Sequence, residues 1–186
     1  MDVLKLQLIS SIFAILTALT VTFLIDPWKR WFRRTNLIPI DVISYFQDFQ
    51  YIYRLQLRNE SCYTAKNVEI DVEGVRDNGD KLRENFVPSP LSWTHRTTEP
   101  RNILPHQNAF LDICEVKQEA NKFIILAAPH IKPLKEMPYI KKGTTRLVLK
   151  YYQENGQTGE VKLKITWNGN ETFNEGDLPT VVIEKD

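Results

Sequence analysis

The chain has 186 residues, 42% hydrophobic and 25% charged, a globular composition that excludes a disordered or low-complexity protein despite ten prolines. Its net charge of +1 is unevenly placed: residues 1–34 carry five Lys/Arg and two Asp, leaving 19 basic against 21 acidic residues in 35–186. A body at −2 lacks the basic stripe that broad nucleic-acid binding needs, so nucleic acid is excluded as its partner.

Leu6 to Ile25 runs 20 residues without a charge, 14 of them apolar. At about 1.5 Å per residue this spans roughly 30 Å, so the pattern predicts one transmembrane helix over about 6–25. The opening Met1-Asp2-Val3-Leu4-Lys5 and the lack of a small-residue cleavage pattern argue against a signal peptide. Asp26-Pro27 reads as a helix restart. Trp28, Trp31 and Phe32 then share one face and Lys29, Arg30, Arg33 and Arg34 fall mainly opposite, the composition of a membrane-interface collar. Four cations after the run against one before it predict a single-pass inner-membrane protein with its C-terminal domain in the cytoplasm. The lipid bilayer is then a partner, and the Ser/Thr content of the helix permits self-association.

Residues 35–50, with Pro39, read as a connector, and 51–186 as a β domain. Tyr51, Tyr53, Leu55 and Leu57 alternate with Ile52, Arg54, Gln56 and Arg58, and Val68, Ile70 and Val72 alternate with acids, the period of half-buried strands. Asn78-Gly79, Asn155-Gly156 and Asn168-Gly169 mark turns. Further strands are predicted over 109–116, 123–127, 144–153, 161–167 and 180–184, a pattern of short strands that means a sandwich or small barrel.

Two stretches carry a resemblance. YRLQLRNESCYTAKNVEIDVEGV, residues 53–75, resembles the opening of bacterial immunoglobulin-like modules. PLSWTHRTTEPRNILPHQNAFLDICEV, residues 90–116, is similar to a pattern in uncharacterised bacterial membrane-anchored proteins. The resemblance implies a mainly β fold, an immunoglobulin-like β-sandwich behind an N-terminal transmembrane helix; it brings no functional residue with it.

No catalytic constellation, metal set or cofactor motif is visible. His95, His106 and His130 have no H-x-x-x-H partner, no G-x-S-x-G is present, and the seven glycines form no phosphate-cradling run. A pairing such as His95 with Asp112 stays open. Cys62 and Cys114 suit either one disulfide or two free thiols. The long link 86–107 gathers Trp93, His95, Arg96, Arg101 and His106, residue types that favour interfaces, and forms a candidate binding loop. The competing reading has Trp93 filling the core. The proline-rich stretch 128–138 is a second candidate. The expectation is a non-enzymatic scaffold that tethers a protein partner at the membrane. The alternative is a membrane-linked sensor of a small nucleotide-like ligand, as in bacterial antiviral defence; it requires a deep pocket in the β domain.

Overall fold

The structure, a computed structural model, describes residues 3–22, 34–47, 50–77, 81–82, 86, 88–94, 97–117, 122–125, 140, 142–169 and 177–184. Two units are each compact: Met1–Arg34 and Thr35–Asp186.

In the first unit, helix α1 covers Val3–Thr20. The hydroxyls of Ser10 and Ser11 donate to the Gln7 carbonyl, Thr17 to Phe13 and Thr20 to Leu16, at 2.8–2.9 Å, so each is satisfied within its own helix. The expected membrane span is corrected here: no helix among the described residues is long and apolar enough to cross a membrane. The helix starts at Val3 and so includes Lys5, and its α-helical part stops at Thr20, with Val21 and Thr22 in a wider π turn. Its 18 residues, a third of them polar, rise about 27 Å, short of the roughly 30 Å of hydrocarbon. The transmembrane helix and the single-pass inner-membrane location, with the topology argument that rested on them, are withdrawn. Of the expected collar, Trp28, Lys29, Arg30, Trp31, Phe32 and Arg33 lie outside the described residues; Arg34 is exposed.

The second unit contains β1 (Leu37–Gln47), β2 (Gln50–Asn59), β3 (Ala65–Asp77), β4 (Lys81–Leu82), β5 (Ser89–Pro90), β6 (Ser92–Trp93), β7 (Arg101–Ile103), β8 (Asn108–Lys117), β9 (Lys122–Ile125), β10 (Gly143–Tyr152), β11 (Gly159–Trp167) and β12 (Thr180–Glu184). Sheet one has the order β1-β2-β8-β6, with β9 also on β8. Sheet two has the order β12-β11-β10-β3-β4, with β5 and β7 also on β3. The chain changes sheet at Leu91, between β5 on β3 and β6 on β8.

Alternation explains why these sheets face each other. Leu37, Tyr53, Leu55, Leu57 and Leu111 of sheet one and Val68, Ile70, Val72, Leu147, Leu149, Leu163 and Ile165 of sheet two form one buried cluster. Each such side chain contributes about 1.5–3 kcal/mol on leaving water. A mainly β sandwich with a core filled by aliphatic side chains results. The Tyr53 hydroxyl, buried in that core, donates to the Pro179 carbonyl at 2.8 Å.

The stretch expected as a connector is the edge strand β1. A bulge at Ile40 breaks its alternation: Pro39 pairs with Leu57 and Asp41 with Gln56. Pro39 is tolerated because an edge strand need not donate on both sides. A second bulge, at Ile113, sets Arg54 opposite Asp112. On the outer face of sheet one the Arg54 Nε donates to Asp112 Oδ1 at 2.5 Å, its guanidinium also bonds the Tyr45 hydroxyl, and its Cζ lies 4.1 Å from the Tyr45 ring centroid. Asp112 is buried. Removing one partner of such a pair strands the other charge, so Arg54→Ala is expected to lower the unfolding free energy by about 3 kcal/mol. Arg58→Ala, on the same strand but exposed, should change it by less than about 0.5 kcal/mol. Urea unfolding of the two variants checks this.

Candidate functional site

Asn59 ends β2 with its side chain wholly inside the protein, 0% exposed. Its Nδ2 donates to the carbonyls of Tyr63 at 2.7 Å, Ile103 at 3.0 Å and Leu104 at 3.3 Å. Its Oδ1 accepts from the Ser61 N–H at 3.1 Å and hydroxyl at 2.7 Å. Its backbone carbonyl accepts from the His106 N–H at 2.8 Å and its N–H donates to Gln107 at 3.1 Å. One residue therefore fixes both the β2–β3 loop, 60–64, and the β7–β8 loop, 104–107.

Asn155 does the same for the β10–β11 loop, 153–158. Its Nδ2 donates to the Thr64 carbonyl at 2.8 Å and its Oδ1 accepts from the Lys66 N–H at 2.9 Å. The Glu154 N–H donates to the Lys66 carbonyl at 3.0 Å, and Asn67 Nδ2 donates to Glu154 Oε2 at 2.7 Å. Asn67 adopts φ 48, a left-handed conformation that asparagine tolerates better than most residues. The Asn155-Gly156 pair is thus not the tight two-residue turn its sequence suggests. Gly156 forms a parallel bridge with Thr35, and a Cβ there would meet Thr35 Oγ1 at 2.5 Å and Gln153 atoms closer still.

Three loops at one end of the sandwich are held by backbone-directed hydrogen bonds. They present Tyr63 (43% exposed), Leu104 (50% exposed), Cys62 and His106 to solvent. A fixed surface bearing an aromatic ring, an aliphatic side chain and polar neighbours can bind another protein.

The sequence-predicted loop residues divide. Trp93 is 2% exposed and belongs to the shared core. Arg101 is exposed on β7 and His106 is exposed in the β7–β8 loop. His95, Arg96, His130 and the stretch 128–138 lie outside the described residues, so the His95–Asp112 pairing is not placed. Among the described residues no group of three or more His, Cys, Asp or Glu could hold a metal ion. Cys62 is exposed and Cys114 buried, both free, which closes the disulfide alternative. Sequence reasoning missed Asn59, Tyr63, Leu104 and Asn155. The one available signal was Asn59-x-Ser61, whose Asx turn also reads as a glycosylation sequon; burial of Asn59 withdraws that side chain from modification in the folded state. No family model matches the chain, and no curated protein matches it.

Replacing the amide by a carboxylate removes a donor that three carbonyls share and places a charge among them. Asn59→Asp is expected to lower unfolding free energy by about 3 kcal/mol and to open the 60–64 loop to protease, read by urea unfolding and limited proteolysis. Burial, and then the charge of Glu115, push the Cys114 thiol well above its usual range. The folded thiol stays neutral where the unfolded one ionises, so this contribution is present below about pH 8.5 and fades as pH rises. At pH 8 a thiol reagent should label Cys62 alone in the native protein and both cysteines after unfolding.

Proposed function

We propose that residues 35–186 are a binding module of immunoglobulin-like architecture that holds a protein partner on its ordered loop end. The strand order supports the architecture: β1-β2-β8-β6 follows A-B-E-D, and β11-β10-β3 follows G-F-C, the order of constant-type immunoglobulin sandwiches. The observation that carries the binding reading is the pair Tyr63 and Leu104, whose backbone carbonyls share one Asn59 amide nitrogen and whose side chains are exposed. Loops already ordered in the free protein lose little conformational entropy when they bind, so a modest contact area yields useful affinity. Tyrosine suits this role because its rigid amphipathic ring covers area with few rotatable bonds.

A photo-crosslinking residue placed at 63 or at 104, in cells that make the protein, is expected to yield one adduct of discrete size from both positions. The same residue at 160, exposed on β11, should not yield it. Absence of the adduct, or equal yield from all three positions, would overturn the reading.

A further inference from the structure

The outer face of sheet two carries an arrangement that neither the core nor the loop end uses. Arg76 on β3 is the direct cross-strand neighbour of Arg146 on β10, and Arg146 is that of Lys164 on β11. The residues flanking them, Val75, Thr145, Leu147, Leu163 and Ile165, are buried in the opposite direction, so all three cations project outward. Like charges directly opposite on neighbouring strands repel, and at about 4.8 Å per strand three of them occupy roughly 10 Å. Arg146 is paired with Glu184 at 2.8 Å. For Arg76 and Lys164 no carboxylate lies within ion-pair distance among the described residues.

The row continues into apolar residues at both ends. Val182, the neighbour of Lys164 on β12, is 46% exposed, and Leu82, the neighbour of Arg76 on β4, is 55% exposed. Beside the cations runs a row of hydroxyls, Thr144, Thr166 and Thr180, on the same face of β10, β11 and β12.

We propose that this face binds an acidic segment of a protein partner, with carboxylates on Arg76, Arg146 and Lys164 and apolar side chains against Val182 and Leu82. Carboxylates on one side of an extended segment are about 6.8 Å apart, so two fit within the cationic row. A long phosphate backbone fits less well. Glu184 lies beside the row opposite Lys162, Asp71 and Glu160 lie further along the same face flanking Lys150, and 35–186 carries −2 overall. The surface is separate from the loop end and stands or falls independently of it.

The full chain is titrated into a fluorescein-labelled peptide of consecutive glutamates with a leucine at each end, followed by anisotropy. Binding is expected at about 50 mM salt and weaker at about 200 mM, because exposed charges are screened. The double variant Arg76→Glu with Lys164→Glu should weaken it at least tenfold without lowering the melting temperature. Arg58→Glu, on the other sheet, should leave it unchanged. Failure to bind, equal loss with Arg58→Glu, or tighter binding of an oligothymidylate or of phosphatidylserine vesicles through Arg76 and Lys164 would overturn the proposal.

Discussion

Burial of the Asn59 side chain is the constraint on which the loop end depends. A primary amide taken out of water must satisfy two donors and an acceptor or cost several kcal/mol. Asn59 does so only while the 60–64 segment and the 103–107 segment keep their observed courses. The β7 strand, three residues long, cannot hold its neighbourhood by ladder hydrogen bonds alone. The order of these loops therefore leans on Asn59 at a strand end, with Asn155 also holding Thr64, rather than on the sheets alone, and the exposed Tyr63 and Leu104 inherit it.

The two sheets contribute differently. Their inner faces are alike in kind, and their buried side chains form one cluster. Their outer faces are not interchangeable. On sheet one Arg54 is matched to a buried carboxylate, while on sheet two Arg76 and Lys164 meet no such partner among the described residues. Arg54 is thus compensated within sheet one and Arg146 within sheet two, while Arg76 and Lys164 are left to solvent or a partner.

Much of the sandwich was legible because β2, β3, β10, β11 and β12 are long enough for a period of two to show. β1 was not, since its bulge at Ile40 moves the inward residues from odd to even positions and Pro39 imitates a linker. β5, β6 and β7 have two or three residues each, too few to alternate, so 86–107 looked structureless. Hydropathy overestimated the opening segment because it counts apolar residues without knowing where the helix begins or ends. At the loop end, Asn155 read as a turn former and Asn59 carried no reading, and their long-range roles follow from strand register, which no local pattern contains. The Arg54–Asp112 pair is hidden for the same reason: only the bulge at Ile113 brings the two into register.

The like-charge row also explains itself energetically. It crosses β10 at Arg146, where that strand is paired on both sides, above Leu147, Leu149 and Leu163, all 0% exposed. A repulsion of a few tenths of a kcal/mol per pair is small against the apolar burial beneath it. The same three cations on an edge strand would splay it. A well-packed central strand can carry a locally unfavourable surface, and departures from local consistency of that kind concentrate where a protein meets something else. The stiffness of the sheet then becomes part of recognition, holding the cationic row near strand spacing before any anion arrives.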